Sequence, residues 1–248
     1  MPDVLLYDFK GSICCQMVRV TLAEKGVVYR KQTIDIVDKR EQFEPWYTAL
    51  NPKAVVPTLS VDGQVVCDTI KIVPFIDAHF DGPALTPDDP GAAAAMLQWM
   101  TDVMAPHYGV LLYSRNLDEN RRSSTIVERG HELRRQMELR PEAAELLQKR
   151  VDGNARLQRI LADADEVAKH VDGVAGLQVR LEEALKDGDF VIGNRWSLAD
   201  GFWTAALARF DRHGIDAWGD GSLPRVAAYY ARLQARPSFT AAEVWKRD

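Results

Sequence analysis

The N-terminal third of the chain alternates short apolar runs with amphipathic segments. Val4-Leu5-Leu6-Tyr7-Asp8-Phe9 is an apolar run of strand length. After the loop Lys10-Gly11-Ser12-Ile13, the residues Cys14, Val18 and Leu22 recur at a spacing of four, with Met17 and Thr21 beside them. That periodicity predicts a helix, and Gly26 stands where a glycine closes a helix C-terminus. Val27 to Ile36 is rich in β-branched residues and predicts a second strand. Strand, helix, strand in so short a span is a βαβ unit, whose strands run parallel. A second helix is expected over Arg40 to Leu50, closed by Asn51-Pro52 because the residue before proline avoids the α region. Pro57-Thr58-Leu59-Ser60-Val61 and Gln64-Val65-Val66-Cys67 flank Asp62-Gly63, a hairpin signal. A third helix is predicted from Thr69 to Phe80.

Asp81-Gly82-Pro83, followed by Pro87 and Pro90, reads as a linker. Beyond it no strand pattern appears. Residues 91–120 read as helical, as do 123–170, with breaks expected at Arg140-Pro141 and at Gly153. Further helices are expected over 174–187, 197–213 and 222–236. Ser197-Leu198-Ala199-Asp200 opens one of them with an N-cap serine and an acidic residue at N3, a relative of the capping box. The pattern therefore predicts an α/β unit with a mixed four-stranded sheet at 1–81, a linker at 82–89 and an all-helical unit at 90–248.

The 248 residues fit one or two domains, taking about 150 residues per domain. Apolar residues are 46% and charged residues 27%, enough to build a core. The net charge of -5, without a basic block, argues against a nucleic-acid partner. No apolar run reaches the ~20 residues that cross a bilayer. Met1-Pro2-Asp3-Val4 lacks the basic start of a signal peptide. Cys14, Cys15 and Cys67 are too few for a disulfide framework and suit a reducing cytosol.

The richest candidate chemistry is Gly11-Ser12-Ile13-Cys14-Cys15, at the predicted start of the first helix. Free N–H groups and the positive end of the helix dipole favour an anion there, a thiolate included. The Ser12 hydroxyl could donate to a sulfur anion. A cysteine in a helix is more often a small buried apolar residue, and that reading stays open for Cys14. Cys15 points about 100° away and reads as packing. Adjacent cysteines make a strained disulfide, and the spacing is not Cys-x-x-Cys. Val56-Pro57 is either an edge-strand start or a cis step that turns the Val56 backbone toward an extended ligand. Asp68-Thr69 is either a helix cap or a donor cluster for a carboxylate or amino group.

Elsewhere the sequence offers little. His79, His107, His131, His170 and His213 lack metal-ligand spacing. Nine basic and seven acidic residues alternate between Arg115 and Arg150, as on a solvated helix face. Trp99, Met100, Met104 and Tyr108 form either a core stripe or the wall of an apolar pocket.

Taken together, these residues resemble the cytosolic glutathione transferases over nearly the full length. The resemblance rests on Val56-Pro57, Asp68-Thr69, Ser197-Leu198-Ala199-Asp200, Ser12-Ile13-Cys14, Phe43-Glu44-Pro45, Ala54-Val55-Val56-Pro57-Thr58-Leu59 and Ala235-Arg236-Pro237-Ser238-Phe239. Within that family the chain looks most like the bacterial zeta-like branch that includes reductive dehalogenases. The resemblance implies a thioredoxin-like first domain and glutathione lying extended along it. The cysteinyl backbone of glutathione would pair at Val56-Pro57, its γ-glutamyl end at Asp68 and Thr69, and Lys53 and Cys15 would border it. Its sulfur would face Ser12 and Cys14, the expected catalytic residues. It implies attack by glutathione on a halogenated quinol, then attack by Cys14 on the sulfur of the conjugate, in a cytoplasmic homodimer. Two departures stand out: Cys15 replaces a serine, and Asp68-Thr69 replaces an acid- or amide-serine pair. The same fold could instead cleave aryl ethers or isomerise a maleyl-type dicarboxylate with Ser12 alone, or serve as a non-catalytic binding protein.

Overall fold

A computed structural model describes residues 2–116 and 119–245. Strands β1 (Val4–Asp8), β2 (Arg30–Thr33), β3 (Thr58–Val61) and β4 (Gln64–Cys67) form one sheet in the order β2-β1-β3-β4. β1 and β2 are parallel, as the βαβ reading requires, and β3 pairs antiparallel with both β1 and β4. Asp62 and Gly63 take positive φ values of 49° and 85°, the hairpin turn that Asp-Gly favours. β2 is shorter than its β-branched stretch: all four of its residues are exposed on the sheet edge, so packing does not extend it.

Helix α1 (Ile13–Glu24) crosses between β1 and β2, and Gly26 follows it at φ 67°. The helix expected at 40–50 divides. A single turn of 3-10 helix covers Glu41–Phe43, and α2 (Pro45–Leu50) restarts with its proline at the first helical position. Glu44 is extended because it precedes proline. Helix α3 (Thr69–His79) closes this half, and residues 80–89 have no regular structure.

Helices α4 (Pro90–Met104) and α5 (Tyr108–Asn116) replace the continuous helix expected over 91–120. Ala105-Pro106-His107 interrupts it, since Pro106 has no N–H to donate. Residues 117 and 118 of that expected helix lie outside the described residues, as do 246–248 at the end of the chain. The break at Arg140-Pro141 is present, between α6 (Glu119–Leu139) and α7 (Ala144–Leu161). Gly153 makes no break: it lies inside α7, which Leu147, Asn154, Leu157 and Ile160 anchor on one face. The chain turns instead at Asp163, whose carboxylate accepts from the amides of Asp165 and Glu166. That cap starts α8 (Ala164–Ala184) ten residues before the expected position of 174.

Helix α9 (Leu198–Arg212) opens on the expected capping box and runs through the main core. Asp200 is fully buried and accepts from Ser197 N at 2.7 Å, Ser197 Oγ at 2.8 Å, Val191 N at 3.0 Å and Tyr229 Oη at 2.6 Å. Helices α10 (Pro224–Gln234) and α11 (Pro237–Ala241) complete the chain. Val4, Leu6, Met17, Val18 and Leu59 of the sheet half share one core with Met100, Phe202, Trp203 and Phe210 of the helical half. The face of α1 opposite the sheet therefore packs on α9, and this contact sets where the two halves meet around the start of α1.

Candidate active site

The loop from β1 to α1 is held from several sides. The Ser12 amide donates to the Phe9 carbonyl at 2.9 Å, and the Ser12 Oγ accepts from the Cys15 amide at 3.3 Å. Ser12 is thus the N-cap of α1. Capping uses a lone pair and leaves the hydroxyl proton to be donated elsewhere. Below the loop, buried Arg19 pairs with Asp8 at 2.5 Å and donates to the carbonyls of Lys10 and Ala242. Above it, Arg209 Nη2 donates to the Gly11 carbonyl at 2.7 Å, and the Arg209 guanidinium stacks on the Trp245 ring at 5.3 Å. A side chain at position 11 would sit 2.8 Å from Trp245 Cη2, so the close approach requires glycine.

Ser12 borders a cavity of about 310 Å³ between the two halves. Its apolar wall includes Phe9, Ile13, Phe43, Tyr108 and Leu112. Tyr108 therefore follows the pocket reading of the aromatic stripe. Met100 follows the core reading, and Trp99 packs edge-on against buried Trp203. A larger cavity of about 610 Å³ lies by Pro106, His107 and His170, and holds none of the expected site residues.

Cys14 is half-buried and does not line the cavity that Ser12 borders. Burial pushes its thiol up from the usual cysteine value, while the Thr69 hydroxyl and the Arg209 charge pull the other way without reversing it. The expectation of a lowered pKa at the helix start is thus corrected: desolvation outweighs the dipole. Cys15 is corrected as well. It has no exposed surface, packs with Ile34, Tyr47 and Val56, and its Sγ accepts from the Phe9 amide. It offers no atom to a ligand.

The Val56-Pro57 peptide is cis. Neither the N–H nor the C=O of Val56 has a partner among the described residues. Its neighbours are fixed: the Val55 carbonyl accepts from Tyr47 Oη at 2.7 Å and Asn51 Nδ2 at 2.8 Å. Both groups also reach the Thr58 hydroxyl. Asp68, at φ 73°, makes no capping bond and instead pairs with Lys53 Nζ at 2.6 Å. Thr69 is buried and its hydroxyl turns to Cys14 rather than outward.

Several residues here carried no local signal. Arg150 of α7 donates to the Lys53 and Ala54 carbonyls at 3.0 Å each and stacks on Phe43 at 5.2 Å, steadying the segment before Val56. Arg40 and Arg129 line the cavity opposite Ser12. Arg209 carried one usable sign, a charge spaced with Phe202, Ala205 and Ala206 on an apolar helix face. Among the described residues no group of His, Cys, Asp and Glu could hold a metal, and no helix is long and apolar enough to cross a membrane.

Comparison with known families places this geometry. The glutathione S-transferase N-terminal domain matches residues 11–79, and the C-terminal domain of the same family matches residues 155–237. The chain belongs to the glutathione S-transferase family and is an enzyme of that kind. It is 36% identical over 253 residues to a tetrachloro-p-hydroquinone reductive dehalogenase of Sphingobium chlorophenolicum, covering 99% of each chain. A 2,5-dichlorohydroquinone reductive dechlorinase of Sphingobium indicum is 29% identical, over 96% of this chain and 81% of that one. Among solved structures, a beta-etherase of Sphingobium sp. strain SYK-6 superposes with a TM-score of 0.72 at 23% identity, covering 96% and 98%. A theta class transferase of Xanthomonas axonopodis pv. citri, solved with glutathione bound, gives 0.71 at 21%, covering 98% and 97%.

Proposed function

We propose that this enzyme uses glutathione to remove halogen from a halogenated quinol-type aromatic. The observation that carries the reading is the full-length likeness at 36% identity to a reductive dehalogenase, together with Ser12 and Cys14 at the start of α1. Glutathione would lie with its cysteinyl N–H and C=O on the unpaired backbone of Val56, and its γ-glutamyl end near Asp68 and Lys53. Its sulfur would meet the free proton of the Ser12 hydroxyl and the N–H groups of the first turn. There the thiolate attacks the keto form of the quinol; a carbon–sulfur bond forms and halide leaves. The Cys14 thiolate then attacks the conjugate sulfur. The carbon–sulfur bond breaks, its electron pair returns to the ring, and the ring carbon takes a proton. A second glutathione thiolate resolves the Cys14–glutathione disulfide, releasing glutathione disulfide. Two glutathiones are oxidised, and one carbon–halogen bond becomes carbon–hydrogen.

One observation favours a second reading. Burial keeps the Cys14 thiol protonated, and Cys14 does not line the cavity beside Ser12. An enzyme working through Ser12 alone, as an aryl ether cleaver or a maleyl-type isomerase, needs no thiolate at position 14. Product analysis separates the two readings: dechlorinated quinol and glutathione disulfide support the first, whereas conjugate released intact, or an isomerised dicarboxylate, supports the second. In either case residues 1–81 serve as the glutathione half and 90–248 as the substrate half, joined at 82–89. The working unit is read as a cytoplasmic homodimer, testable by sedimentation.

A further inference from the structure

The cavity beside Ser12 is apolar on most of its wall and cationic on the rest. Arg209 comes from α9, Arg129 from α6, and Arg40 from the turn before α2. Among the described residues no aspartate or glutamate lines it. Arg40 is held by Glu128 at 3.3 Å, but Arg129 gives its Nε to the neutral amide of Asn154 at 2.7 Å. Neither Arg129 nor Arg209 forms an ion pair with any described carboxylate. Arg209 is the more exacting case. It is 6% exposed, its Nη2 is committed to the Gly11 carbonyl, and its buried Nε has no hydrogen-bond partner. A buried guanidinium with an unmatched charge and an unmatched N–H is costly, and such groups are ordinarily paired. The cost is relieved if an anion occupies the cavity.

Resting on the reading that this cavity receives the acceptor substrate, we propose that Arg209 is a specificity-determining residue that anchors an ionised oxygen of the substrate, with Arg129 completing the cationic wall. The acceptor is therefore an aromatic or unsaturated acid bound as its phenolate or carboxylate, and its uncharged ether or ester is rejected. The protein's own groups facing Arg209 do not titrate near neutrality. The Cys14 thiol and the Tyr108 hydroxyl are pushed up by burial, and burial and the nearby arginines hold His213 down at about 4. Arg209 itself, lowered to about 10 by burial, remains a cation. Any pH dependence of binding in this range then belongs to the ligand.

The test is equilibrium binding to the intact protein, without turnover, by calorimetry. The probes are 2,6-dichlorophenol, its methyl ether, benzoate and methyl benzoate, each from pH 6 to 8. The expected result is at least tenfold tighter binding of the phenol than of its ether, with affinity rising with pH as the phenol ionises. Arg209→Met should abolish that preference and Arg209→Lys should keep part of it. Tighter binding of benzoate than of its ester points to a carboxylate, and of the phenol alone to a phenolate. Equal, pH-independent binding of acid and ether by the unsubstituted protein overturns the proposal, with no variant needed. Because no dehalogenation is measured, anion preference without dechlorinated product would refute the proposed function while leaving this inference standing.

Discussion

Replacing Gly11 by alanine tests how tightly the start of α1 is held. The new Cβ would lie 2.8 Å from Trp245 Cη2, 3.2 Å from Trp245 Cζ2 and 3.1 Å from Phe9 Cε1. Ordinary carbon contacts are about 3.5–4.0 Å, so roughly 0.7 Å or more must be absorbed by the loop or the indole. The indole resists: Arg209 and Arg212 stack on it at 5.3 Å and 4.9 Å, and its backbone N–H donates to Gln16 Oε1. The loop resists through the Arg209 bond to the Gly11 carbonyl. Overpacking of this kind costs about 1–3 kcal/mol, and a misplacement near 1 Å at a reacting group costs on the order of 100-fold in rate. Gly11→Ala should therefore lower kcat/KM for conjugate formation by roughly 10- to 100-fold while the protein stays folded. The assay is a double-mutant cycle with Trp245→Ala. Removing the indole frees the space, so the double variant should be no worse than Trp245→Ala alone, a coupling well above about 0.5 kcal/mol. Wild-type activity in Gly11→Ala, or additive losses in the double variant, would refute the idea that contact with Trp245 positions Ser12.

Cys14→Ser should leave glutathione conjugation intact and stop conjugate reduction, so that the aryl conjugate accumulates in product analysis. The reduction step needs the Cys14 thiolate, and burial raises that thiol above its usual value. Its rate should therefore rise with pH by about tenfold per unit until the raised pKa is passed. Stopped-flow measurement of that step alone would show a plateau at neutral pH if the thiol were already ionised. Arg150→Met removes the donor to the Lys53 and Ala54 carbonyls. It should raise the KM for glutathione while leaving kcat nearly unchanged, as steady-state kinetics would show. Asp200→Ala strands four buried donors. It should cost about 3–5 kcal/mol, read as a drop of roughly 10 °C in Tm.

Local chemistry was legible where one or two residues decide a geometry. Asp62-Gly63 specified its hairpin and Ser197 with Asp200 specified the start of α9, whereas the capping of α1 by Ser12 emerges only in the structure. The break at Pro106 was present in the sequence but hidden inside a strong helical pattern. Gly153 misled because the packed apolar face of α7 outweighs glycine's cost of about 1 kcal/mol in a helix. The environment of Cys14 was not legible, since its ionisation depends on burial under a helix far along the chain. Arg209 and Trp245, which clamp the Gly11-Ser12 loop, lie some 200 residues from it in sequence. The packing of α9 and of α11 on α1 brings them there.

The proposed chemistry requires the opening turn of α1, with the Ser12 hydroxyl, to ionise the sulfur of bound glutathione. The direct measurement is an ultraviolet titration of thiolate absorbance in the glutathione complex, for the wild type and for Ser12→Ala. The wild-type complex should hold its thiol ionised at neutral pH, well below the free cysteine value of about 8.5, and Ser12→Ala should return it toward that value. A bound thiol that titrates as it does in free solution, or one indifferent to loss of the Ser12 hydroxyl, would contradict the account.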